Sequence, residues 1–574
     1  MTTCTTWPRR LGRRAVRPLL LRCVLLGAVL LPLASCDTGM PPDDGGGPGP
    51  DVTLPPLLPD EIRLKIDRRC PGDPDCLDTG DDQLYAGYAG RDITPDIEPF
   101  TDTNGNNLRD ADEPFVDKNG NGVFDEYWIA GYGTGRLATS VADPLSARAL
   151  ALRYNQTTVV VVSVDTCGLF RDESQAVEAR LDPRLGIDLL MIHATHDHEA
   201  VDLTGAWGRD PFTYGVNEGY RERVLSRVAE AVTEAVQGVR PARVSISSIR
   251  VEDPDGSMGR YVGDSRDPVI IDNRLHTLQF MERDAVPPRP IATLVNWASH
   301  PEAAGSKNHA LTADFVGPLR QELENKGASG PVVYVSGALG GLLGPGRAAP
   351  LDDSGKPVTE AGLPKVRAMG AESARFALQA LADPAALSVE GKAARLSFRS
   401  SVFHAHVDNV KYQFASMLRI FRRSFCCFDM TRPLSDDNVP QVETKVAYLQ
   451  LGPASVVTNP GELTSELFLG GYDGSARGTY RLLDPLVPNA PDLSRAPAPP
   501  YLIDLMDGAR PHRMVFGLTM DFLGYILPRY NFVLDEQKPY FDEAPGDHYE
   551  ETNSLGPRAE AEIVGTLRQL VMAK

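Results

Sequence analysis

Three short stretches carry side chains that can bind a metal ion or an oxyanion. His193-Ala-Thr-His196-Asp-His198 closes the aliphatic run Leu189–Ala194. Ala298-Ser299-His300-Pro301 follows Ile291–Trp297, and Thr458-Asn459-Pro460-Gly461-Glu462-Leu463-Thr464 follows VAYLQLGPASVV. In an extended backbone residues i and i+2 point the same way, so His196 and His198 are expected on one face and His193 on the other. Two imidazoles at the carboxyl end of a strand, entering a loop, are placed for a metal ion or an oxyanion. An HxH pair on its own also describes surface or core histidines. The proline after His300 ends its strand and fixes the turn that presents the ring.

The elements that must hold these residues are legible as alternating runs. Thr157–Val164 and Leu189–Ala194 read as buried strands, short and aliphatic without polar alternation. Further strands are expected at Val244–Ile249, Ile291–Trp297 and Val332–Val335. Residues 219–236 carry Val224, Val228, Val232 and Val236 at helical spacing and stop at Gly238, and a second helix is expected over 366–382. Strands interleaved with helices imply an α/β core.

Composition bounds what such a core can serve. The chain has 574 residues, 58 Lys+Arg against 77 Asp+Glu, and a formal charge of −19. Six arginines and no acid lie in its first 35 residues, so the remainder is more acidic still. A nucleic-acid partner is excluded on charge. Those basic residues precede CVLLGAVLLPL, too short to span a bilayer, which reads as a secretory signal ending in Leu33-Ala34-Ser35-Cys36. That ending resembles a bacterial lipobox with Cys36 as the lipidated first residue; the alternative is ordinary cleavage near Ala34. Residues 1–35 are thus expected as signal peptide and 36–83 as a Pro/Gly/Asp-rich linker after the anchor. The α/β domain is expected over 84–574. The chain is expected in the bacterial cell envelope, periplasmic or on the outer surface, held to a membrane through Cys36. Cys70 and Cys76 bracket a tight PGDPD loop and are expected to pair in an oxidising compartment.

An insert at 100–127 has a separate chemistry. Asp102, Asn104, Asn106, Asp110 and Glu113 place oxygens at positions 1, 3, 5, 9 and 12 of an EF-hand-type loop, although Asn107 stands where glycine is usual. Asp117-Lys-Asn119-Gly-Asn121-Gly122 begins in the same way but has Trp128 at position 12 and so lacks the bidentate acid. One or two structural Ca²⁺ ions are expected here, against the alternative of a solvated acidic turn.

Taken in order, the motifs resemble the neutral ceramidase family, the zinc-dependent non-lysosomal ceramidases and their bacterial relatives. The similarity begins at Tyr88-Ala-Gly-Arg91-Asp-Ile-Thr94-Pro95. It continues through Asp143-Pro-Leu-Ser-Ala-Arg148, Val164-Asp165-Thr-Cys-Gly168, the two histidine motifs, Ala313-Asp314-Phe-Val-Gly317 and Gly461-Glu462-Leu-Thr464. It closes on the segment 517–526, with Tyr525, and on Tyr549-Glu550-Glu-Thr-Asn-Ser-Leu-Gly-Pro557, so that it spans roughly 84–560. The resemblance implies a mixed β-sheet core flanked by helices, and zinc held by His196, His300, Glu462 and Tyr525. It implies His198, Arg260 and Tyr549 at the substrate carbonyl, and hydrolysis of an acyl-amide bond in an N-acylsphingosine or a related N-acyl lipid. Two neutral imidazoles and a carboxylate are usual catalytic zinc ligands, whereas a phenolate needs the ion to hold it deprotonated.

The chain departs from the family where a motif serine is expected. In Ser336-Gly-Ala-Leu-Gly-Gly341-Leu-Leu-Gly344-Pro345, Gly344 stands in the serine position and Leu342 in the preceding acid or amide position. The alternatives are therefore a zinc hydrolase for a different ester or amide, and a metal-bearing surface binding protein without turnover. Residues 407–434, with Phe414, Met417, Leu418, Ile420 and Phe421 among basic side chains, are expected as a buried helix, with a lipid-facing lid as the alternative.

Overall fold

A computed structural model describes residues 64–573 except 254–257, 265, 342–343, 436 and 476–477. The signal, Cys36 and most of the linker, as well as Leu342, lie outside the described residues.

Every residue of Thr157–Val164 and Leu189–Ala194 is buried, as an aliphatic run covered on both faces must be. They end a nine-stranded sheet ordered Val332–Ser336, Pro290–Trp297, Arg274–Glu282, Arg240–Arg250, Leu84–Asp92, Ser146–Tyr154, Thr157–Val164, Leu189–Ala194, with Leu387–Val389 paired to Arg240–Arg250. The outermost pairs at its two edges, 332–336 with 290–297 and 157–164 with 189–194, are parallel; those between are antiparallel. A five-stranded sheet orders Ile66–Cys70, Leu396–His406, Gln441–Leu451, Ala454–Thr458 and His512–Phe516, and only its last pair is parallel.

The period-two alternation of strands sorts side chains between layers. Val159 and Val161 join Leu449, Val456 and Phe516 in a core between the two sheets. Val160 and Val162 face Val224, Val228 and Val232 of the helix Glu218–Gln237, capped by the Asn217 side chain on the Tyr220 N–H. Each such side chain contributes about 1.5–3 kcal/mol on burial. Helices Val316–Asn325 and Leu363–Leu381 cover another part of that face, and Gly565–Met572 packs on the outer side of the small sheet. The result is helix, sheet, sheet, helix, the mixed α/β arrangement expected.

Two boundaries differ from expectation. Folded chain begins ahead of Leu84, because Ile66–Cys70 is an edge strand on Leu396–His406 and the Cys70–Cys76 disulfide closes behind it. Its sequence, IDRRC, hides this: an edge strand needs few apolar residues. The 407–434 segment is not a buried helix. Only Val410–Met417 is α-helical, Gln413 is its one buried residue, and Phe414, Met417 and Leu418 are exposed. Among the described residues no helix is long and apolar enough to cross a membrane.

Candidate functional site

The three parallel strand pairs of the two sheets end in the expected ligand loops. His196 follows 189–194, His300 follows 290–297, Glu462 follows 454–458, and Tyr525 follows 512–516. Asn296 ties the two sheets together beneath them, its amide donating to Val335 O (3.0 Å) in the large sheet and Val515 O (2.9 Å) in the small one. His193 does the same from Leu189–Ala194, the strand at the other edge of the large sheet. Its Nδ1 donates to Gly517 O at 2.7 Å and its Nε2 accepts from Ser336 N at 3.0 Å. Burial holds this imidazole down to about 3, so it remains neutral, a satisfied core histidine and not a ligand.

The loops bring one nitrogen of His196, one of His300 and one carboxylate oxygen of Glu462 within 4.8 Å of one another, all buried. Glu462 Oε2 lies 3.3 Å from His196 Nε2 and 3.1 Å from His300 Nε2. His196 Nδ1 donates to Cys167 O at 2.7 Å, which leaves Nε2 as the lone-pair nitrogen directed at the cluster. Burial works against ionisation of Glu462, yet the charges and hydrogen bonds of His196 and His300 hold its carboxyl well below the ordinary range. A divalent cation among the three atoms would do the same without those protons, so the donor set fits a metal. Cys167 also lies within reach of His196 and His198, but burial pushes its thiol well up and makes it a poor ligand.

Backbone alternation does not bring His196 and His198 together. The strand ends at Ala194, and His196 takes a left-handed φ of 66°, a conformation costly for a side chain with a Cβ. The rings nevertheless meet, with Nε2 atoms 3.4 Å apart. Burial first, then the charges of His196 and His300, keep His198 well below the usual imidazole range and therefore neutral.

Tyr525 is the register partner of Glu462 in a short parallel ladder. Burial and the Glu462 carboxylate push its phenol well above the ordinary value, so ionisation there needs a cation. The ring of Tyr549 stands 6.2 Å from that of Tyr525, and at 39% exposed it faces the open side of a cluster whose other members are buried. Arg260 is held elsewhere: its Nε pairs with Asp253 at 2.9 Å and its guanidinium lies over Tyr261.

Two residues of the site were not foreseen. Tyr412, on the 410–417 helix, is half-buried and lies near enough to Glu462 and Tyr549 for both to add to the effect of desolvation in raising its phenol. Glu302, two residues past His300, puts Oε2 3.7 Å from His198 Nδ1. The neighbouring residues of each read as lid or turn, and only the pairing of sheets brings them inward.

The insert at 100–127 folds as two matching loops. Asp102 accepts the N–H groups of Gly105, Asn106 and Asn107, Asn104 and Asn106 reach Asp110, and Glu113 accepts from Thr103 N and Asp110 N. Asp117 accepts from Gly120, Asn121 and Gly122 in the second loop. There Glu98 accepts from Lys118 N and Asp125 N, the two positions that Glu113 serves in the first. The acid missing at position 12 is thus supplied from upstream, where loop spacing cannot reveal it.

No protein-family model matches the chain, and no curated protein matches it. Among solved structures, a neutral ceramidase from Pseudomonas aeruginosa superposes with a TM-score of 0.57 at 13% identity, over 86% of this chain and 74% of the other. A ceramidase complexed with C2 gives 0.56, also at 13% identity, over 86% and 75%. At this identity the likeness is one of fold: the chain folds as the neutral ceramidases do, with a histidine–glutamate cluster suited to a metal at the strand ends.

Proposed function

We propose that the chain is a zinc-dependent hydrolase of an acyl-amide bond, acting on N-acylsphingosine or a related N-acyl lipid to give a fatty acid and an amine. The observation that carries this reading is the convergence of His196, His300 and Glu462, with Tyr525 paired beside Glu462, in a ceramidase-like fold. Zinc held there would supply Lewis acidity and bring the pKa of water towards about 7. His198, neutral and buried with Nε2 towards the cluster, accepts the proton of the attacking water and returns it to the leaving nitrogen. Tyr549, on the open side, donates to the carbonyl oxygen as charge develops there. Arg260 is paired with Asp253, so its contact with the substrate carbonyl is proposed on the resemblance alone.

Glu302, whose carboxylate lies against Gly344 where the family pattern leads one to expect a serine, favours a second reading in which the amide or ester differs from ceramide. The deciding experiment is fatty-acid release from a panel of N-acyl sphingosines and simpler N-acyl amines by the zinc-loaded protein, with His196→Ala as control. Release from the sphingosines, lost in the variant, supports the first reading; release only from simpler amides supports the second. Bound zinc with no release from any substrate would overturn both and leave a metal-bearing binding protein.

The same proposal includes a membrane partner, reached through lipidated Cys36 and through the exposed Phe414, Met417 and Leu418 beside the site. It also includes two structural calcium ions, one per loop of the insert, with Glu113 and Glu98 as the paired acids.

A further inference from the structure

We propose that Glu302 is the positioning residue for His198, and that glycine at 344 is what makes room for it. The catalytic consequence rests on the hydrolase reading above; the geometry does not.

Among the described residues His198 Nδ1 is buried without a hydrogen-bond partner, and Glu302 Oε2, at 3.7 Å, is the carboxylate aimed at it. The two sit in one frame. His198 N–H donates to Pro301 O at 3.0 Å, the Tyr132 ring packs edge-on to the imidazole at 5.2 Å, and the Tyr132 hydroxyl donates to Glu302 O at 2.9 Å. Arg136 donates to His198 O at 3.0 Å, and a Cβ on Gly131 would stand 2.7 Å from His198 Cα. The ring therefore has little freedom except at its Nδ1 edge.

Gly344 borders the Glu302 carboxylate. A Cβ built there would overlap Glu302 Oε1 and approach the carboxyl carbon to 2.8 Å and Cγ to 3.3 Å. Gly344 cannot back away, since it exchanges backbone hydrogen bonds with Gly263 at 3.0 and 3.3 Å. A side chain at 344 thus requires the Glu302 carboxylate to shift from the place it holds beside His198.

A carboxylate that accepts Nδ1–H fixes the tautomer and turns the lone pair of Nε2 towards the metal cluster, where water is to be deprotonated. Closing 3.7 Å to a hydrogen bond takes less than the length of a carbon–carbon bond, a tightening common when substrate binds.

The test uses the full chain as Glu302→Ala, Glu302→Gln, Gly344→Ala and the Glu302→Ala/Gly344→Ala double variant. Zinc content, urea midpoint and the ¹⁵N spectrum of labelled histidines are read, with kcat and KM on N-dodecanoyl-sphingosine and N-dodecanoyl-p-nitroaniline. Glu302→Ala is expected to lower kcat about 10- to 100-fold with zinc content and KM unchanged. Glu302→Gln, which keeps an acceptor, is expected to recover part of the loss. Gly344→Ala is expected to lower the urea midpoint of the parent chain but not that of the Glu302→Ala variant. The His198 signal is expected as the Nδ1–H tautomer, lost in Glu302→Ala.

Wild-type kcat in Glu302→Ala, loss of zinc there, or additive effects of the two sites on the urea midpoint would each overturn the assignment. Should the parent protein hydrolyse neither probe, the hydrolase reading fails separately. The stability cycle and the histidine spectrum then decide Glu302, and additivity or an unchanged spectrum overturns it.

Discussion

Replacing Asn296 by leucine tests how the site is held. The side chain is 3% exposed and its amide donates to one carbonyl of each sheet, at 3.0 and 2.9 Å. Leucine is close in volume and leaves Val335 O and Val515 O without that donor in a dry interior. Each buried acceptor so deprived costs about 1–3 kcal/mol. Part is recovered because leucine itself is well accommodated between sheets, so a net loss of about 2–4 kcal/mol is expected. His300 follows Asn296 by four residues, so zinc affinity is expected to fall with stability although no ligand has changed. Urea denaturation with and without zinc measures the first, and competition against a chromophoric chelator the second. A loss below about 0.5 kcal/mol, the range of an ordinary surface change, with unaltered zinc affinity would refute the view that this amide clamps the sheets beneath the metal.

His276 and His512 share the Ser248 hydroxyl, at 2.5 and 2.7 Å, and burial lowers His276 to about 3. The unfolded chain, with this group near 6.5, binds the proton first, so stability is full above that pH. It is expected to fall by up to about 1.4 kcal/mol per pH unit between roughly 6.5 and 3. His276→Gln should flatten that slope in urea titrations from neutral pH down to about 4. Calorimetry with Ca²⁺ is expected to show two ions bound by the parent protein and one by either Glu98→Gln or Glu113→Gln; two retained in both would sink the two-loop reading. Met417→Asp with Leu418→Asp is expected to reduce co-sedimentation with anionic vesicles several-fold while leaving hydrolysis of a water-soluble amide unchanged.

Much of this was legible in residue pattern because local rules govern it. Aliphatic runs with no polar alternation fixed 157–164 and 189–194 to the residue, and valines at helical spacing before Gly238 marked the 218–237 helix. The histidines and Glu462 stood out because each follows such a run. What escaped depends on pairing across the chain. Ile66–Cys70 reads as linker because an edge strand is polar, and Glu98 lies outside the loop it completes. Glu302 and Tyr412 acquire meaning only once the carboxyl ends of strands from both sheets face one another. His196 and His198 converge through a left-handed turn that an alternation argument does not contain.

The scatter of the donors along the chain has a consequence for assembly. His196 and His300 follow strands of the nine-stranded sheet, Glu462 and Tyr525 follow strands of the five-stranded one and pair in a short ladder of their own, and Asn296 joins the two sheets. No fragment limited to one sheet holds the full set, and contacts so distant in sequence form late in folding. On the proposed reading, metal uptake would therefore report completion: a truncated, nicked or half-docked chain would stay empty, and a loaded one would have passed an inspection that its own topology performs.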